Sequence, residues 1–228
     1  SSANLAQRLR QLSSSVVSDV LDVSGYPEQS LSGAIRPLAP TMRLAGPALC
    51  FSGVSEAPAN TTPALSSYEI DQRIAPGTIV VIAANGHSVS SVVGGLMALS
   101  FTKKGCGGIV SDGGVRDVAE ITALELPTFC CYATPLNSAR RWKMTAADRP
   151  IELPGRASPS VRVAPGDLVI GDADGVMVIP QGIAADIIGW AERLAMIEEK
   201  IVAGLNAGAP RDQVFAANPR FDHIRRLK

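Results

Sequence analysis

The chain has 228 residues, 46% of them hydrophobic, and its 21 Lys and Arg are matched by 21 Asp and Glu. A single core of that size removes roughly 70% of the unfolded surface from water, so disulfide or metal staples are not required for folding. Zero formal charge, with no Lys/Arg run longer than two, removes the long-range attraction to phosphate backbones and anionic lipid, and no apolar stretch nears the roughly 20 residues that span a bilayer; nucleic acid and membrane are not expected partners.

The opening residues mix charges with no apolar export region after them. Cys50, Cys106, Cys130 and Cys131 contain no C-x-x-C pair, so buried free thiols in a cytoplasmic protein are expected. In chain order, Leu5, Leu12, Val16, Val20 and Val23 recur at helical spacings until Gly25 and Pro27, which predicts one helix over 5–23. Residues 48–54 read as a strand. Pro63 opens a helix over 64–74 that Pro76 and Gly77 end, and the β-branched run 78–83 is a buried strand. The polar loop 84–88 makes His87 either a solvent-facing turn residue or an active-site donor. Residues 92–104 are helical in pattern, 109–111 a strand, 117–124 a short helix and 128–132 a strand. Closely spaced strands at 161–163, 168–170 and 176–179 follow, divided by Gly- and Asp-rich turns that include Asp172 and Asp174. A helix over 182–204 carries Glu192, Glu198 and Glu199 on a solvated face, and the tail 207–228 is expected to form an arm on a neighbour. No repeat or linker divides the chain, which reads as one α/β domain, 1–228, of central strands and peripheral helices.

The densest polar cluster begins at Gly94, Gly95, Leu96 and Met97 and continues through Ser111, Asp112, Gly113, Gly114, Val115, Arg116 and Asp117 to Glu120. With Gly94 and Gly95 at the opening of a helix, their backbone N–H groups form a site for a small carboxylate. Arg116, in the next strand-to-helix turn, presents a planar fork to the same anion. Asp117 and Glu120 share a helix face and can hold one divalent cation. Each feature also has a structural reading: Asp117 with Glu120 as a capping box, Arg116 as an ion-pair partner of Asp112, and the glycines as close-packing positions. No G-x-S-x-G or G-x-G-x-x-G pattern supports a serine hydrolase or a nucleotide cofactor.

The run Gly113-Gly114-Val115-Arg116-Asp117, with Gly94-Gly95-Leu96-Met97-Ala98 before it and the stretch 165–180 after it, resembles the signature of the RraA-like family. That family includes class II 4-hydroxy-4-methyl-2-oxoglutarate aldolases and regulators of ribonuclease E activity. The resemblance implies a swivelling β/β/α domain assembled as a trimer or dimer of trimers, with sites at subunit interfaces. It also implies pyruvate bound by Arg116 and by the backbone of Gly94, Gly95, Leu96 and Met97, and Mg2+ or Mn2+ ligated by Asp117. Aldolases of the family commonly carry an aspartate where this chain has Gly95, and Glu120, one helical turn beyond Asp117, is placed to supply the lost carboxylate. That variant resembles members acting on oxaloacetate and related 2-oxo acids. The implied activity is a metal-dependent lyase releasing pyruvate from a 2-oxo dicarboxylic acid, with Arg116 stabilising the enolate and a carboxylate-held water, or Asp112, as base. The other outcome in the family is a non-catalytic regulator that binds a ribonuclease.

Overall fold

The computed structural model describes residues 2–57 and 61–228. Helices α1 (Ser2–Leu9) and α2 (Ser14–Ser24) lead into strands β1 (Arg36–Pro37) and β2 (Leu44–Ser55), the short helix α3 (Ser67–Asp71), and strands β3 (Ile79–Ala83) and β4 (Ser91–Val93). Next come α4 (Gly95–Lys103), β5 (Gly108–Ser111), β6 (Gly114–Val115), α5 (Val118–Ala123), β7 (Thr128–Cys130) and β8 (Tyr132–Ala133). Strands β9 (Trp142–Ala147), β10 (Ile151–Pro154), β11 (Ser160–Val163), β12 (Leu168–Asp172) and β13 (Gly175–Ile179), then helices α6 (Ala184–Asn206) and α7 (Arg211–Ala217), complete the chain.

The β-branched run of β3 is buried at all five positions, as expected for a strand covered on both faces. Val80 and Ile82 pack with Phe51, Phe101, Ile109 and Ile121 under the helices that follow the parallel strands. Ile79, Val81 and Ala83 point the other way, onto Val110, Phe129, Leu153 and Val163, where the β10–β11 hairpin is the cover. β2, β3, β5 and β7 are mutually parallel, and β12 joins β2 antiparallel in the order β1-β7-β5-β3-β2-β12-β13. A third apolar cluster seats α1, α2 and α6 on Ala45, Leu168, Ile170, Met177 and Ile179. The architecture is α/β with a central mixed sheet and peripheral helices.

β5 and β7 continue after a short bend, and β3 after the loop 84–90, into strands of a second sheet ordered β4-β6-β8 and again parallel. The bends are cross-tied. Asp112 Oδ1 accepts from Ala84 N at 2.6 Å, Trp142 Nε1 donates to Ala84 O at 3.1 Å, and Cys131 N donates to Gly113 O at 3.0 Å.

Several sequence expectations are corrected. The helix expected over 5–23 is two, because Ser13 adopts extended backbone and caps a new start, its side chain accepting from Val16 N at 3.3 Å; a serine-rich step competes locally with the helical pattern. The helix expected over 64–74 shrinks to α3, begun by a Ser66–Glu69 capping box rather than by Pro63. The first residues of the helix expected over 92–104 are strand β4. His87 is buried, not solvent-facing: Nε2 accepts from Ser90 N at 3.1 Å, which leaves the Nδ1 proton for Ser55 Oγ at 2.9 Å. Cys50, Cys106 and Cys130 are buried free thiols, while Cys131 is half-buried.

Glu192 and Glu198 are paired rather than merely solvated: Glu192 holds Arg8 at 2.6 Å, and Glu198 holds Arg220, which also reaches Asp19 at 2.7 Å. The tail after α7 lies along its own chain, with Leu227 N donating to Ser24 O at 2.9 Å. Asp172 does form a turn, taking Asp174 N at 3.1 Å, and also clamps the start of α2 through Ser14 N at 2.8 Å. Among the described residues no helix is long and apolar enough to cross a membrane.

Candidate functional site

The small sheet gathers the chemistry-bearing residues. β4 runs on into Gly94, which is the N-cap of α4, and β6 into Arg116, whose N–H donates to Val93 O at 3.1 Å. Asp117 follows in the left-handed region at φ 61, a conformation short polar residues tolerate better than most. That turn aims its carboxylate away from its own helix: Oδ2 accepts from Gly95 N at 2.8 Å and lies 3.6 Å from Arg116 Nε. Asp117 therefore caps α4, and makes no side-chain cap on α5, whose N-cap position it occupies. The capping-box reading of Asp117 and Glu120 is not realised, and the ion-pair partner of Arg116 is Asp117 rather than Asp112.

Between α4 and the loop after β8 is a cleft of about 200 Å3 lined by Gly94, Leu96, Met97, Arg116, Asn137 and Ser138, with β4 as its floor. Since Gly95 N–H is engaged by Asp117, the donors that α4 offers to an anion are the orphan N–H groups of Leu96 and Met97. Gly94 is closely approached: a Cβ there would sit 3.1 Å from Arg116 Nε and 3.3 Å from Asp117 Oδ2, so these side chains would have to give by a few tenths of an ångström. At position 95 a Cβ would lie 3.1 Å from Asp117 Cβ and 3.5 Å from Glu120 Cβ. Side chains from positions 95, 117 and 120 thus share one neighbourhood.

Asp117 and Glu120 are exposed beside the cleft. Among the described residues no cluster of three or more His, Cys, Asp or Glu could enclose a metal. Two carboxylates nonetheless suit magnesium, which is usually held by one or two carboxylates with water and ligand oxygens completing its shell. Asp112 is set apart from this group. Its Oδ1 is tied to Ala84 N at the neighbouring bend and burial pushes its carboxyl pKa up, whereas Asp117 and Glu120 are exposed. Burial likewise lowers the pKa of His87, whose backbone carbonyl, with that of Ser90, receives Tyr132 Oη at 3.3 and 3.0 Å.

Asn137 and Ser138 have no sequence signal beyond polarity in a loop. Their placement comes from Leu136 O, which accepts from both Ser91 N and Ser91 Oγ, at 2.9 and 3.0 Å. Leu96, at the mouth of the cleft, is 83% exposed.

A family model described as RraA-like, Aldolase/RraA, matches residues 14–178. The chain is 28% identical over 210 residues to Protein DlpA of Legionella pneumophila, covering 92% of this chain but 33% of that protein, so it spans about a third of that relative's length. It is 30% identical over 186 residues to a Halalkalibacterium halodurans protein provisionally named 4-hydroxy-4-methyl-2-oxoglutarate aldolase, covering 82% of this chain and 81% of the other. Among solved structures it is similar to Streptomyces coelicolor RraAS2, described as an unusual member of the RNase ES inhibitor RraA protein family, with a TM-score of 0.75, 29% identity, and coverage of 86% and 95%.

Proposed function

The chain belongs to the RraA-like family, and from that membership we propose that it is a divalent-metal-dependent carbon–carbon lyase releasing pyruvate from a 2-oxo dicarboxylic acid. The candidate reactions are oxaloacetate decarboxylation and retro-aldol cleavage of 4-hydroxy-4-methyl-2-oxoglutarate type substrates. The observation that carries this reading is the cleft where Arg116 meets the Leu96 and Met97 N–H groups, with the exposed carboxylates of Asp117 and Glu120 beside it. A docking surface has no need of that combination.

In this reading the guanidinium and the two N–H groups grip the 1-carboxylate and hold the 2-oxo group beside Asp117 and Glu120. Breaking the bond to C4 leaves its electron pair on C3 and the 2-oxo oxygen as an enolate, and Arg116 faces the oxygen where that charge collects. Asp117 and Glu120 would hold a magnesium or manganese ion, which when bound would lend Lewis-acid stabilisation to the same charge. Carbon dioxide leaves without a base, and water returns a proton to C3. An aldol substrate must also surrender its 4-hydroxyl proton, for which a water held by Glu120 is the acceptor. Without a carboxylate at position 95, decarboxylation is expected to be the better supported reaction.

Assembly as a trimer or dimer of trimers is part of the proposal, supported by exposed apolar residues near the cleft: Leu96, Val89 at 58% and Leu136 at 41%. A second reading, a regulator that binds a ribonuclease without turnover, draws on the description of the Streptomyces relative. The deciding experiment measures pyruvate release from both substrates with magnesium or manganese, with EDTA, and with Arg116→Ala. Chelator-sensitive release that requires Arg116 supports the lyase; release no faster than metal alone from either substrate sinks it and favours the regulator.

A further inference from the structure

The candidate cleft lies beyond the C-terminal ends of the parallel strands. At their opposite edge, where Gly107 leads into β5 and Leu44 opens β2, is a second cleft of about 380 Å3 lined by Arg10, Arg43, Leu44, Ala45, Gly107 and Ile170. With β3 five residues long, at about 3.3 Å per residue the two clefts stand roughly 15 Å or more apart.

Arg10 and Arg43 are anchored there by main-chain carbonyls rather than by acids. Arg10 Nε donates to Ala45 O at 3.1 Å, and Arg43 Nη2 donates to Leu12 O at 2.6 Å. Among the described residues neither has a carboxylate partner, although Arg8, Arg73, Arg116, Lys143 and Arg220 all do. Each bond uses one arm of a five-donor fork and steadies the rest. Two exposed positive charges therefore border one concavity whose own lining holds no carboxylate, while Leu44, Ala45 and Ile170 give its floor an aliphatic character; Arg43 also borders a neighbouring hollow with Glu198, which is held by Arg220, and Glu199. Arg10 also borders an adjoining hollow of about 460 Å3 beside Pro76 and Gly77, so it stands where two hollows meet.

We propose that this cleft binds a small organic dianion, a short aliphatic dicarboxylate whose two carboxylates engage Arg10 and Arg43 while its methylenes lie on the apolar floor. The site has no acidic pair to hold a cation and is remote from Arg116, so the ligand is an effector and not a reactant. The assignment is independent of the lyase reading.

The test titrates succinate, which lacks a 2-oxo group, into the full chain by calorimetry at constant ionic strength, with chloride as control. Saturable binding is expected in the parent and in Arg116→Ala. Binding should weaken roughly tenfold in each of Arg10→Gln and Arg43→Gln, the loss of about one charge-assisted contact, and disappear in the double variant with its circular dichroism unchanged. No saturable binding in the parent overturns the proposal. So does binding that survives in the double variant, or binding that depends on Arg116 instead. A change of assembly state in the double variant, with no succinate effect in the parent, assigns both arginines to an interface and equally overturns it.

Discussion

Replacing Asp117 by Ala and by Asn separates what its backbone does from what its charge does. The residue sits at φ 61 and its Oδ2 accepts from Gly95 N at 2.8 Å. Alanine meets about 1–2 kcal/mol of left-handed strain, and losing the cap on α4 costs about 1 kcal/mol more. The sum is about 2–3 kcal/mol, or roughly 4–12 °C in melting temperature for a chain of this size. Asparagine tolerates the left-handed region and keeps an oxygen acceptor for Gly95, so Asp117→Asn is expected to stay within about 1 kcal/mol of the parent. Chemical denaturation of both variants reads these values directly, and pyruvate release is expected to vanish in both because neither carries a charge at 117. Equal stability of the Ala and Asn variants would refute the capping argument, and full turnover in Asp117→Asn would refute the role given to the carboxylate.

Glu120→Ala is expected to abolish metal-dependent turnover with the fold intact, and adding Gly95→Asp should restore part of it, because a Cβ at 95 lies 3.5 Å from Glu120 Cβ; failure of the rescue in steady-state assays would leave Glu120 without its proposed role. Gly114→Ala places a methyl 2.1 Å from Tyr132 Cε2, and the ring is fixed by its bonds to His87 O and Ser90 O. Overpacking with a lost hydrogen bond predicts about 2–4 kcal/mol of destabilisation in urea unfolding, and a loss below about 1 kcal/mol would contradict it. His87 has a folded pKa below its ordinary 6.5 because burial penalises the imidazolium. The unfolded chain therefore takes up that proton first, so the stability contributed by neutral His87 is complete above about pH 6.5 and is lost as the pH falls through the folded value. Unfolding midpoints between about pH 7.5 and 5.5 should fall less steeply in His87→Gln than in the parent, and parallel slopes would show that His87 is not the titrating group.

What could be read in advance follows from how local each signal is. The strand β3 was legible because an apolar β-branched run has few alternative fates, whereas the helical pattern starts at residue 92 and only the glycines near it hint at the true boundary at Gly94. The Gly94, Arg116 and Asp117 grouping came through the family signature. Strands β4, β6 and β8 hold two or three residues each, too short to show a period of two, so their valines were absorbed into neighbouring helices or overlooked. The partner of Asp117 was hidden because it depends on a left-handed backbone angle and on Gly95, which lies 22 residues away in sequence. His87 looked like a turn residue in a polar loop; its burial follows from Ser55 and Ser90 folding over it, which no spacing announces.

The cross-tied bends between the two sheets have an entropic consequence. Ala84, Asp112, Gly113 and Cys131 are bound to one another or to Trp142 across the three junctions, so the small sheet and the large one are joined as if welded. The conformational freedom of these junctions, which carry the strands behind the cleft, is surrendered when the chain folds, not when a ligand arrives. Association then sacrifices chiefly the ligand's own tumbling and torsions, which favours small, rigid molecules over long flexible ones at equal contact area. A cleft framed in this way selects by fit to a fixed contour.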